Sequence, residues 1–120
     1  MSHTLKIKVE IKDETALRTA SERTGAKVLG EGSHRLYGGV SNGFGVQLPG
    51  WQFPVIVNLQ TGELSYDNYG GNWGNQGTLD TLIHEYSTEV VAQALASQGI
   101  SFYRNDAQVD GTKHTVLCLA

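Results

Sequence analysis

Tyr66, Asp67, Asn68, Tyr69, Gly71, Asn72, Trp73, Gly74, Asn75, Gln76, Gly77 and Thr78 form the stretch of this chain with the most chemical content. Between residues 66 and 77 stand three large aromatics, three Asn and four Gly, with no Lys, Arg, His, Cys or Ser. Such a segment has flat faces, amide edges and a permissive backbone, and it lacks groups for acid–base or nucleophilic work. The chemistry it offers is recognition. Trp51, Tyr66, Tyr69 and Trp73 could stack on a base or another planar group, each contact contributing about 1–3 kcal/mol. Asn68, Asn72, Asn75 and Gln76 could read the edges of that group. The N–H groups of Gly77 to Leu79 could hold a phosphate or carboxylate at a helix start. The same residues also suit a structural role, with Gly70 and Gly71 in a turn, Trp73 in the core and the Asn side chains capping backbone groups.

Other reactive residue types are scattered. His84-Glu85 lies in a helical pattern, but Thr88 stands where a zinc-protease helix needs its second His. His34 and His114 are far apart, and one Cys leaves no ligand cluster of recognisable spacing, so neither metal nor cofactor is expected. Cys118, in an apolar strand pattern, reads as a small buried hydrophobe. Asp67 reads as a hydrogen-bond acceptor for a glycine N–H. An enzyme would require His34, His84 or His114 to meet Cys118 or an acid in a cleft; no catalytic residue is assigned.

Charge narrows the partners. Between Arg35 and Arg104 there is no Lys or Arg, against five acidic residues, Glu63, Asp67, Asp80, Glu85 and Glu89. Phosphate-backbone affinity comes from Lys and Arg, so general nucleic-acid binding is not expected. The basic face Lys6, Lys8 and Lys12 reads as solvated edge protection. At 120 residues the chain suits a single domain, 1–120, able to bury roughly two thirds of its unfolded surface. A lone Cys fits a reducing compartment, and no apolar run reaches membrane-spanning length. The expectation is a soluble cytoplasmic protein.

The elements that must position the loop follow from periodicity. Leu5, Ile7, Val9 and Ile11 alternate with charged residues, predicting a strand. Asp13 and Gly25 bracket a short helix carrying Ala16, Leu17 and Ala20. Asn42-Gly43 predicts the turn of a hairpin across 36–48, and Phe53 to Val57 a short buried strand. Thr61-Gly62 turns the chain, and Leu64 and Tyr66 begin the next strand. Thr78 is the expected cap of a helix over 79–98, ended by Gly99. Asp110-Gly111 predicts the turn of a final hairpin. This order indicates an α+β two-layer sandwich, one short and one long helix on one face of a mostly antiparallel sheet.

Trp51-Gln52-Phe53-Pro54-Val55, Thr61-Gly62-Glu63-Leu64, Tyr66-Asp67-Asn68-Tyr69 with Trp73-Gly74, and the opening Met1-Ser2-His3 together resemble the hypothetical chloroplast reading frame thirty-five family, a domain of unknown function. The resemblance spans nearly the whole chain and departs from the family pattern around 38–50. It implies occurrence in algal plastids, cyanobacteria, other bacteria or phages, hence plastid stroma or a host cytoplasm as alternative compartments. It implies no established catalytic residues. Family genes often lie near those of an AAA-type ATPase and a ferredoxin-like protein.

The leading expectation is a non-catalytic binding protein for a small, nucleotide-like ligand, sequestering a host signal if the origin is viral. The alternative is an adaptor docking a protein partner such as an AAA-type ATPase, and the third a hydrolase-type enzyme. A homodimer would place the loop at or near a shared pocket.

Overall fold

The computed structural model describes residues 5–109 and 112–119. Its elements are strand β1 (Leu5–Lys8), helix α1 (Glu14–Thr24), β2 (Lys27–Leu36), β3 (Gly39–Gln47), β4 (Val55–Val57), β5 (Glu63–Tyr66), a short 3-10 turn (Tyr69–Gly71), α2 (Gln76–Ser97), β6 (Phe102–Val109) and β7 (Thr112–Leu119). The fold is α+β, as the order of sequence patterns indicates. Five strands form an antiparallel sheet in the order β1-β5-β4-β3-β2, and β6 and β7 pair separately.

One row of the sheet runs Ile7, Leu64, Val57, Phe44. Phe44, Val46, Val55, Val57 and Leu64 share the core with Ala16, Leu17 and Ala20 of α1 and Leu79, Leu82 and Tyr86 of α2. Tyr86 also joins the two helices to the chain before α1. Its hydroxyl oxygen accepts from the N–H groups of Lys12 and Asp13, both at 3.0 Å. Asp13 caps α1 as its residue type demands, accepting from Ala16 N at 3.1 Å, and Gly25 ends the helix at φ 79.

Three local expectations are corrected. The alternation beginning at Leu5 stops being a strand at Lys8, because Glu10 takes a left-handed φ of 56. Ile11 nevertheless reaches the core. The first hairpin spans 27–47 and turns at Tyr37-Gly38, with Asn42 and Gly43 inside β3 opposite Ser33 and Gly32. The reason is a close approach. A Cβ at Gly43 would lie 2.8 Å from both Ile56 Cγ2 and Val57 O, so this glycine lets β3 press against β4.

The third correction concerns α2. Its cap is Asn75, not Thr78: Asn75 Oδ1 accepts from Gly77 N at 2.7 Å, and the Asn75 carbonyl accepts from Thr78 N at 3.1 Å. The helix therefore starts at Gln76 and ends at Ser97, with Gly99 beyond it at φ 72. Its 22 residues span about 33 Å. Asn75→Ala is expected to destabilise the protein by about 1 kcal/mol, read from urea unfolding, whereas Thr78→Ala stays within about 0.5 kcal/mol.

β6 and β7 form a ribbon outside the main sheet, a difference from the simple two-layer arrangement. Polar side chains tie it to α2. Arg104 makes two 2.7 Å bonds to Glu85, and Thr115 Oγ1 lies 2.7 Å from His84 Nε2. The predicted Asp110-Gly111 turn lies outside the described residues. Among the described residues, no helix is long and apolar enough to cross a membrane.

Candidate functional site

The aromatic residues of the predicted site divide into two groups. β5 carries Tyr66 into the core at 7% exposure, and Trp51 lies beside it at 6%, their rings meeting edge-on at 6.0 Å. The Trp51 indole lies against Gly74. A Cβ there would stand 2.6 Å from Cε2 and 2.7 Å from Cγ. Its Nε1–H donates to the Asn75 carbonyl at 3.1 Å. Trp51 and Tyr66 are thus packing residues with their faces covered.

The second group gathers at the surface around Trp73, which is half-buried. Tyr69 stacks on it at 4.7 Å and 22°, Tyr37 leans against it at 4.8 Å and 44°, and Phe53 meets it edge-on at 5.4 Å. Tyr69 is 45% exposed, Tyr37 55%, and Val40, next to the Tyr37 turn, 70%. Tyr69 holds a left-handed φ of 47, a conformation that is unfavourable for a bulky residue and persists only where surroundings enforce it.

The amides mostly build the loop itself. The Asn68 carbonyl accepts from Gly71 N at 3.0 Å and Trp73 N at 2.9 Å. Its Nδ2 donates to Gln76 Oε1 at 3.1 Å, and Gln76 Nε2 donates to Asp80 Oδ1 at 3.2 Å. Gln52 N donates to the Trp73 carbonyl at 2.8 Å, fastening the loop to the segment after β3. Asn72 and Gly71 are exposed at its tip. The start of α2 borders a depression of about 320 Å³ lined by Thr24, Pro49, Asn75, Gly77, Thr78 and Thr81. The N–H groups of Gly77 and Thr78 are already bonded to Asn75, and no cation lines the depression. The arrangement gives a phosphate little to hold.

Asp67 departs from its expected role. It is fully buried, and neither carboxylate oxygen has a hydrogen-bond partner among the described residues. An unpartnered buried carboxylate costs stability. Asp67→Asn keeps nearly the same shape but leaves an amide equally unpaired, so it is expected to raise stability by no more than about 1 kcal/mol in urea unfolding. A loss of stability instead would mean that a bound water or cation satisfies the carboxylate in solution.

Local patterns place Tyr37 and Phe53 in strand or hairpin segments, so neither stands out in the sequence as a site residue. The only sequence signals are Phe53 two places from Trp51 and Tyr37 directly before Gly38-Gly39. The predicted residues Trp51, Tyr66, Asp67, Asn68 and Gly74 go inward, and Tyr69, Gly71, Asn72 and Trp73 form the surface loop. Asn75, Gln76, Gly77 and Thr78 build the helix start.

Among the described residues, no three His, Cys, Asp or Glu cluster as for a metal ion. His34 lies on Gly45, its Nε2 2.9 Å from the Gly30 carbonyl. Cys118 is part-buried opposite Tyr103. The His114 side chain is outside the described residues. His84 does meet an acid, through a hydroxyl: Thr115 Oγ1 bridges His84 Nε2 and Asp106 Oδ1, 2.7 Å from each.

Comparison with protein-family models, curated proteins and solved structures finds no match, so the resemblance drawn from sequence rests on its motif residues.

Proposed function

We propose that this chain is a binding protein whose recognition surface is the aromatic patch of Tyr37, Phe53, Tyr69 and Trp73, and that its partner is a protein surface. The observation that supports this reading is Tyr69, held in a left-handed conformation with its ring stacked on Trp73 and nearly half of it in solvent. Strain that places an aromatic ring at the surface is a better mark of a recognition site than of a fold requirement. Tyr and Trp are favoured interface anchors, and an exposed aromatic patch suits docking. The adaptor role and family membership belong to this proposal and rest on the same motif residues.

The small-ligand reading keeps one supporting observation. A Tyr ring already stacked on Trp is a platform on which a planar group could continue the stack. The self-capped start of α2 and the absence of Lys and Arg between 35 and 104 remove support from its phosphate half.

The test compares the wild type with Tyr69→Ala and Tyr37→Ala, by native mass spectrometry and by affinity capture from the source organism. The expected result is loss of one discrete partner protein in both variants, with each unfolding midpoint within a few degrees of wild type. Retained partner binding in both variants overturns the surface assignment. Small-molecule adduct mass lost in Tyr69→Ala would select the stacking reading.

A further inference from the structure

The contacts around His84 assign a proton. The Thr115 hydroxyl has one hydrogen and lies 2.7 Å from both Asp106 Oδ1 and His84 Nε2. Asp106 accepts from Arg104 Nε with both oxygens at 3.0 Å, as an ionised carboxylate does. A carboxylate can only accept, so the hydroxyl proton points to Asp106 and Nε2 donates to Thr115. Neutral His84 therefore carries its proton on Nε2 and its lone pair on Nδ1. That atom has no hydrogen-bond partner among the described residues. It is not sealed in, because the buried unpartnered side-chain atoms among those residues are the Asp67 oxygens alone.

His84 lines a groove of about 490 Å³ between α2 and β7, with Ser87, Thr88, Val91, Thr115, Val116 and Leu117. The groove is open to solvent, and its apolar walls carry a few polar groups, the mix found in small-molecule sites. Val91 and Val116 are each about half exposed, at 51% and 53%. The Thr88 hydroxyl donates to the His84 carbonyl at 3.0 Å, and Nδ1 is an acceptor held in place by the Nε2 bond behind it, with the exposed Ser87 hydroxyl also on the groove wall. Nδ1 accepts, so a carboxylate, which also only accepts, has no proton to offer it.

We infer that this groove is a ligand site, separate from the aromatic loop, for a neutral molecule with an apolar body and one hydroxyl group, of which a phenol is the simplest case. The hydroxyl donates to His84 Nδ1, and the ring or chain lies on Val91, Val116 and Leu117. The Thr115–Asp106 pair holds the imidazole in the tautomer this bond needs.

The test is NMR on the full chain labelled at the His ring nitrogens and at the Val and Leu methyls, titrated separately with p-cresol, toluene and benzoate. The expected result is an Nε2-protonated His84 before addition. p-Cresol then gives saturable shifts at Val91, Val116 and Leu117 together with a shift of His84 Nδ1. Toluene, lacking the hydroxyl, binds about ten-fold more weakly, and benzoate binds more weakly than p-cresol. Val91→Lys, which fills the groove without touching the His84–Thr115–Asp106 chain, abolishes the p-cresol shifts while the amide spectrum stays folded. An Nδ1-protonated His84, equal response to toluene, stronger binding of benzoate, or unchanged p-cresol shifts in Val91→Lys would each overturn the assignment.

Discussion

Arg104→Ala is expected to lower the unfolding free energy by about 3–5 kcal/mol, the range for removing one partner of a buried ion pair. Glu85 is only 3% exposed, and the Arg104 guanidinium meets both of its oxygens at 2.7 Å in a bidentate fork. Arg104 Nε also reaches Asp106. The hydrogen bonds to Glu85 chiefly, and those to Asp106, push the Arg104 pKa further above its ordinary value, against the opposing effect of burial. The guanidinium is charged at any accessible pH either way, so the pair gives no titration of its own on the Arg side. Removing it takes the bidentate guanidinium from the buried Glu85 carboxylate. It also cuts a tie between the β6–β7 ribbon and α2, and a two-stranded ribbon is marginal alone. Amide exchange in β6 and β7 should therefore quicken more than in β3 to β5. Arg104→Lys keeps the charge but loses the fork and should recover only part of the stability. A loss below about 1 kcal/mol for Arg104→Ala would place the pair among solvent-screened surface bridges.

Gly74→Ala is expected to destabilise by about 3 kcal/mol, the upper part of the overpacking range. The added methyl would stand 2.6–2.7 Å from the Trp51 ring atoms Cε2 and Cγ. The indole is rigid, 6% exposed and hydrogen-bonded to the Asn75 carbonyl, so it cannot swing aside without losing that bond. Moving the backbone instead would strain the Gln52 N to Trp73 carbonyl bond and the cap of α2. Urea unfolding reads the loss. Fluorescence in a Trp73→Phe background reports whether Trp51 is the group displaced, through a shift to longer wavelength. Adding Trp51→Leu should make Gly74→Ala nearly neutral, and full additivity would deny the contact.

These two effects rest on partners that no local pattern identifies. Arg104 and Glu85 are nineteen residues apart in different elements, and Trp51 and Gly74 lie on segments separated by β4 and β5. The same limit explains the site. Trp51 and Trp73 look alike in a motif of aromatics and amides. Gly74 opens a slot that takes Trp51 inward, while Trp73 is left beneath Tyr69 and Tyr37. Asn75 has the residue type of an edge-reading amide, but it caps α2, because the chain leaves the loop three residues before Thr78 could serve. Asn42-Gly43, a turn signal in isolation, lies inside a strand because the close approach of β4 needs glycine there.

Short-range chemistry was enough for what depends on neighbours in the chain. Asp13 and Gly25 bracket α1 because a cap is satisfied within three residues. The period of two marks the start of β1, although not its end, and the apolar run 55–57 marks a fully buried strand. The α+β class follows from the order of such segments, and so does the location of the aromatic loop between β5 and α2. The tertiary structure alone decided which aromatic faces solvent, which carboxylate is buried without a partner, and which cation meets Glu85. Those outcomes depend on the free space and charge that distant segments bring to a point, and residue type at one position carries no information about either.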